Sequence, residues 1–194
     1  MRALTRCFAI GVLILLAACA EDARAPFEDI ARARHVSQDT PHMMLITMVS
    51  SRTGSGAHTA LVVNASEQVI FDPAGTFSVS ALPERGDVHY GATTRWVELF
   101  LSYHSRREFY AHTQRVELSR ADAELLLARV KAAGAQPKAF CTLGTSRVLQ
   151  GVPGFTHLRQ TWFPENLRKQ MSQIPGVIDR YIRETDEDKA LPGQ

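Results

Sequence analysis

Two apolar runs, AHTALVV and QVIFDPAG, sit almost end to end in residues 57–75, with only NASE between them. A connection that short leaves no room for a crossover, so the two runs must pair antiparallel as a hairpin. The rest of the sheet grows from that constraint. MMLITMV (43–49) reads as a buried strand and REFYAHTQRVEL (107–118), with its alternating stretches, as another. SSRTGSG (50–56) is a polar, glycine-rich loop, and 73–95 reads as loop with turn signals at Pro73, Gly75, Pro83 and Gly91.

Helices fill the remainder. TRWVELFLSYHS (94–105) is apolar enough for a helix. In SRADAELLLARVKAAG (119–134), Ser119 is placed to cap, Asp122 stands at the capping-box offset and Gly134 is a stop. CTLGTSRVLQ (141–150) predicts a second helix ended by Gly151 and Pro153, and 155–183 reads as a helical or irregular mix. Strands followed by helices in this order predict an α+β domain over 43–183, a small, mostly antiparallel sheet packed against helices.

The first residues do not belong to that domain. Arg2 and Arg6 precede FAIGVLILLAA, an apolar run too short to span a bilayer with confidence, which reads as a secretory signal over 1–18. Leu16-Ala17-Ala18-Cys19 resembles a bacterial lipobox. That resemblance implies a lipid on Cys19, an anchor in the outer membrane and a periplasmic face; ordinary signal cleavage is the alternative. Residues 19–42 are expected as a tether carrying one short helix, from the spacing of Phe27, Ile30 and Ala31, and 184–194 as a disordered tail.

Charge narrows the partners. Arg2 and Arg6 are the only charges before position 19, which leaves 20 basic residues against 20 acidic ones. A balance like that offers no basic footprint for nucleic acid. A membrane reached through the lipid, and a peptide or lipid acyl substrate, are the expected partners of what should be a monomer. RTGSGAHT (52–59) lacks the lysine and spacing of a phosphate-binding loop. No H-E-x-x-H or C-x-x-C occurs, and His89, His104, His112 and His157 show no ligand spacing, so neither a metal nor another cofactor is expected.

One thiol remains. Beyond position 19 the chain has only Cys141, unpaired in an oxidising compartment. A thiol attacks as thiolate and needs help to ionise near neutrality. Cys141 stands where a helix starts, and the dipole and free amides there favour an anion. His58, at the mouth of an apolar strand after a glycine loop, is the best proton acceptor among seven histidines. A three-residue turn at 64–66 would pair Val63 with Glu67 and His58 directly with Asp72, whose carboxylate would orient the ring. The plainer readings are inert packing for Cys141, a satisfied structural histidine and an aspartate opening a turn. Trp162-Phe163-Pro164 can line a groove, though core packing or a rigid crossing is favoured. Trp96, Phe100 and Tyr103 can line an acyl pocket or face a membrane, with ordinary core again the favoured reading.

A histidine opening AHTALVVN, a polar residue ending VIFDPAG and a late cysteine in FCTLGTSRVL together resemble the circularly permuted branch of the NlpC/P60 papain-like superfamily. In that branch the histidine precedes the cysteine, as here. The resemblance covers roughly residues 43–155. It implies a papain-like fold, with Cys141 as nucleophile, His58 as general base, Asp72 as the orienting group and the Cys141 amide as an oxyanion donor. It implies acyl transfer through a thioester on a cell-wall peptide amide, or, alternatively, on a lipid acyl group. A binding lipoprotein that retains the fold without catalysis is the third possibility.

Overall fold

The computed structural model describes residues 25–185. The expected signal 1–18, Cys19 and residues 186–194 of the expected tail lie outside the described residues. Among the described residues five helices and seven strands follow in the order α1 (Phe27–Ala33), β1 (His42–Ser50), β2 (Gly56–Asn64), β3 (Gln68–Phe71), β4 (Glu84–Arg85), β5 (Val88–Tyr90), α2 (Thr94–His104), β6 (Phe109–Glu117), α3 (Arg120–Ala133), α4 (Cys141–Gln150), α5 (Pro164–Met171) and β7 (Ile178–Ile182). The protein is α+β, as its sequence suggests.

All strands join one antiparallel sheet, ordered β4-β5-β3-β2-β1-β6-β7. Both faces are covered, which is why the central strands read as continuous apolar runs instead of alternating ones. Met43, Leu45, Leu61, Val63 and Phe71 face a core closed by Leu126, Leu127 and Val130 of α3, Val148 and Leu149 of α4, and Leu167 of α5. The residues between them, Ile46, Met48, Ala60, Val62 and Ile70, face a second core with Val97, Phe100 and Leu101 of α2. Burying each such side chain contributes roughly 1.5–3 kcal/mol before chain entropy is subtracted. Among the described residues no helix is long and apolar enough to cross a membrane.

The caps act as their chemistry predicts. Ser119 accepts the Asp122 N–H at 3.1 Å and donates its hydroxyl to the Asp122 carboxylate at 2.6 Å. Gly134 leaves α3 at φ 68°. Three strands escape the sequence reading. β4 and β5, inside the expected 73–95 loop, are two and three residues long, too short to carry a period. β7 lies in the expected 155–183 mix; its pattern is almost wholly exposed because it is an edge strand with one neighbour.

The segment expected as a tether is held to the domain from residue 25 onward. The Ala25 N–H donates to Glu84 O at 2.8 Å, His35 O accepts from the Gln68 N–H at 2.9 Å, and Arg34 donates to Ser66 O at 2.8 Å. Nothing in its polar composition announces this, because backbone carbonyls accept most of these bonds.

The hairpin register also differs from expectation. Asn64 pairs with Gln68 and Leu61 with Phe71, around a three-residue loop at 65–67. The predicted pairing of Val63 with Glu67, and of His58 directly with Asp72, is therefore two residues off. A slip of two keeps every side chain on its face, because the strand period is two. Asp72 stays on the His58 face, diagonal to it instead of opposite.

Candidate active site

β2 enters through an irregularity. Met48 pairs with His58 and Val49 with Gly56, so Ala57 is an extra residue, a bulge directly before the histidine. Bulges kink a strand and re-aim the side chain beside them. At the same open end of the hairpin, β3 stops pairing with β2 at Phe71. The start of α4 comes in beside this open stretch. The Cys141 sulfur sits there near the Thr59 backbone, next to His58, which helps to lower its pKa.

Buried threonines lock α4 to the strand. Thr59 donates its hydroxyl toward Thr142 at 3.3 Å and Thr145 at 3.2 Å, and Thr145 donates to Cys141 O at 2.9 Å. All three are fully buried. A buried hydroxyl without a partner is costly, so the set enforces its own geometry.

His58 bridges the two other predicted residues. Its Nε2 meets Asp72 Oδ1 at 2.6 Å. That leaves Nδ1 free of Asp72; the ring lies close enough to the Cys141 thiol to draw its proton affinity down, and the sulfur itself contacts Thr142 Oγ1 at 3.7 Å. Asp72 is 3% exposed and Cys141 8%, while the His58 side chain keeps 20% of its surface open. The structure thus brings together Cys141, His58 and Asp72; Cys19 lies outside the described residues.

The electrostatics favour an ion pair. Burial alone would depress His58, yet the Asp72 and Cys141 contacts overcome it and push the imidazole up to about 10. Burial alone would raise Cys141, yet the His58 bond and charge, helped by Thr142 and the Thr59 backbone, bring the thiol down to about 7. Burial would raise Asp72 as well, but His58 and the nearby His104 and His89 hold it below the usual carboxylate range. Position 141 adds the first turn of α4, whose leading amides have no helical acceptor. Such amides favour a thiolate, and later an oxyanion.

A pH profile follows from these two values. Below about 7 the sulfur holds its proton and cannot attack; above about 10 the imidazolium has lost the proton a leaving group needs. Turnover is expected to be bell-shaped, with limbs near those values. Stopped-time assays across the range check it, and a rising limb near the free-thiol value of about 8.5 would contradict the ion pair.

Several residues around the candidate site were not foreseen. Asp87, in the β4–β5 turn at φ 62°, accepts two amides on one carboxylate oxygen: Ala74 N–H and Gln136 N–H, both at 2.8 Å. Its carbonyl accepts the Asp72 N–H at 2.8 Å. One residue so ties the acid-bearing turn to the segment leading into Cys141. Glycine and aspartate are common turn residues, and no local signal distinguishes Gly86-Asp87. His104 stacks on His58 with ring centroids 6.2 Å apart, its Nδ1 donating to Phe100 O at 2.8 Å. Burial lowers His104 and takes His89 down to about 4. Among the described residues no group of three or more His, Cys, Asp or Glu can hold a metal ion.

The aromatic stretches divide. Phe100 is core, as favoured, but Tyr103 and His104 wall a cleft of about 350 Å³ with Met48, His58, Thr76 and Phe109. Core packing does not hold for Trp162 and Phe163, which are 49% and 65% exposed. The Trp162 ring stands edge-on to Phe140, the residue before the cysteine, at 4.4 Å. Pro164 backs onto Gly56, where a Cβ would approach it to 2.7 Å. This stretch therefore stands beside the start of α4 and the mouth of β2. No family model, curated protein or solved structure matches the chain.

Proposed function

We propose that this protein is a cysteine hydrolase of the permuted NlpC/P60, papain-like kind, cleaving an amide bond in cell-wall peptide. The observation that carries the reading is His58, hydrogen-bonded to Asp72 at 2.6 Å and electrostatically coupled to the Cys141 thiol beside it. In the reaction the thiolate attacks the carbonyl carbon, and the first amides of α4 receive the oxyanion. The C–N bond then breaks as His58 gives its proton to the departing amine, leaving a thioester. Water attacks next, yielding its proton to His58. The C–S bond breaks, and acid and thiolate are released. Asp72 holds the ring in the tautomer that allows both transfers.

The same reading carries the lipobox-like leader: a lipid on Cys19 places the domain at the outer membrane, facing the wall. Neither a metal nor a further cofactor is required by these steps.

A second substrate class has one observation in its favour. Met48, Tyr103 and Phe109 give the cleft apolar walls, which suits a lipid acyl group. The purified protein is expected to release amines from muropeptides and to leave phospholipid vesicles intact, read by mass spectrometry. Release of fatty acid or lysolipid instead would move the assignment to lipid. No product from either would leave a non-catalytic binding protein.

A further inference from the structure

His104 walls the cleft beside His58, and its tautomer is fixed. Phe100 O can only accept, so the Nδ1 that meets it at 2.8 Å carries a hydrogen. Burial, the largest influence on this ring, favours its uncharged form. An uncharged imidazole has one N–H, here spent on Phe100, so Nε2 presents a lone pair.

That lone pair opens on the cleft. Among the described residues, the buried side-chain atoms without a partner are Thr47 Oγ1, Asn64 Oδ1, Asp72 Oδ2, His89 Nδ1 and Gln114 Oε1. His104 Nε2 is not one of them, yet it too has no protein partner among the described residues, so it keeps contact with solvent. The hollow its ring lines is the cleft. Neighbouring rings hold it in place: Phe100 at 4.3 Å, Tyr103 edge-on at 5.0 Å and His58 stacked at 6.2 Å. An acceptor already held in one orientation loses little freedom on binding.

We propose that His104 Nε2 is a specificity group that accepts the amide N–H of the substrate residue whose carbonyl is attacked; this rests on the thiol acyl-transfer reading above. The distances agree. In a peptide that nitrogen lies about 2.5 Å from the carbonyl carbon, and a hydrogen bond adds about 3 Å. The sum is close to the 6.2 Å between the two rings, so a carbonyl held at His58 brings its own N–H to His104. A fatty acyl chain has methylenes at that point and would leave the lone pair unpaired. The apolar walls of Met48, Tyr103 and Phe109 suit an uncharged donor. The acyl side of the substrate is therefore a peptide residue.

Three p-nitrophenyl esters that differ at one position test it: N-acetylglycinate with the N–H, levulinate with a methylene there, and acetoxyacetate with an oxygen. Each kcat/KM is divided by the ester's rate with a small free thiolate, which removes differences in intrinsic reactivity. The wild-type value for N-acetylglycinate is expected to exceed that for levulinate by about 10-fold, the range of one hydrogen bond to a group otherwise left unpaired. Acetoxyacetate sets one lone pair against another and should do no better than levulinate. In H104F, which keeps a ring but no acceptor, the N-acetylglycinate to levulinate ratio should fall to about one. H104Q, whose amide oxygen can accept, should lie between. A purely structural His104 would slow all three esters alike and leave the ratio unchanged. Circular dichroism checks both variants; should H104F not fold, the wild-type ratios and H104Q decide. A wild-type ratio near one, a ratio that survives H104F, or acetoxyacetate matching N-acetylglycinate overturns the proposal while leaving the thiol chemistry intact. Turnover of none of the probes overturns the thiol acyl-transfer reading, and this inference falls with it.

Discussion

Replacing His58 by alanine should slow alkylation of Cys141 by iodoacetamide about 100-fold at about pH 6, and replacing Cys141 by alanine should remove turnover altogether. The first figure follows from the thiol's environment. With His58 present the thiol sits at about 7, although burial pushes it upward. Without the imidazolium, the largest lowering influence is gone and burial remains. The thiol then returns to its unperturbed range or above it, about two pH units higher, and each unit below the pKa is a tenfold loss of thiolate. Catalysis should fall further than alkylation, by about 10³-fold or more, because His58 also supplies the proton to the leaving group. Cys141→Ala exchanges one small buried group for another, so its melting temperature should stay within a few degrees of wild type. The measurement is a pH series of alkylation rates on wild type and His58→Ala, with circular dichroism on both. Equal rates at low pH would mean that the ring and the sulfur do not communicate, and the catalytic reading would fail.

The parts of the fold that were legible are those whose signal is local and repeated. The β2–β3 hairpin announced itself through two apolar runs and a short turn, and α3 through Ser119, Asp122 and Gly134. The site was legible for a related reason: its three residues lie at the ends of such elements, where a polar group needs a partner. Even the wrong register found the right pair, because an error of two preserves the face.

What stayed hidden is non-local. The bulge at Ala57 exists because β1 pairs one residue short of β2 there, and no residue type in GSGAH marks it. Asp87 matters because its carboxylate reaches Ala74 and Gln136, 13 and 49 positions away in sequence. His104 meets His58 only because α2 lies across that face of the sheet. β7 is an exposed edge strand, and its five residues carry no apolar period to read. Trp162 and Phe163 read as core by residue type alone, yet the α5 backbone at Pro164 presses against Gly56 and leaves both rings outside.

Gly75→Ala should cost about as much as losing Asp72, although Gly75 touches neither the thiol nor the imidazole. A methyl built on Gly75 would lie 1.8 Å from Asp72 Oδ2, 2.2 Å from its Cγ and 2.5 Å from Oδ1. No real Cβ sits that close, so something must give. If the carboxylate swings away, its 2.6 Å bond to His58 is broken. If the turn opens instead, the Gly75 N–H loses Asp72 O, now 3.0 Å away, and Asp72 is displaced with its backbone. Either way the ring loses the charge that holds it up, the imidazolium is less favoured, and the thiol loses the partner that draws it down. The rising limb of the pH profile should therefore move upward from about 7 by about one to two units. Turnover at neutral pH should drop about 10- to 100-fold, the same displacement read as thiolate lost. Asp72→Asn, which removes the charge without the crowding, should shift the limb in the same direction. Ala74→Gly makes a fair control: at φ 57° glycine is at ease there, and the Ala74 amide to Asp87 is retained. A Gly75→Ala protein that folds, keeps its rising limb near 7 and turns over at the wild-type rate would show that Asp72 does not govern the ring. The chemistry would then have to be carried by Cys141 and His58 alone.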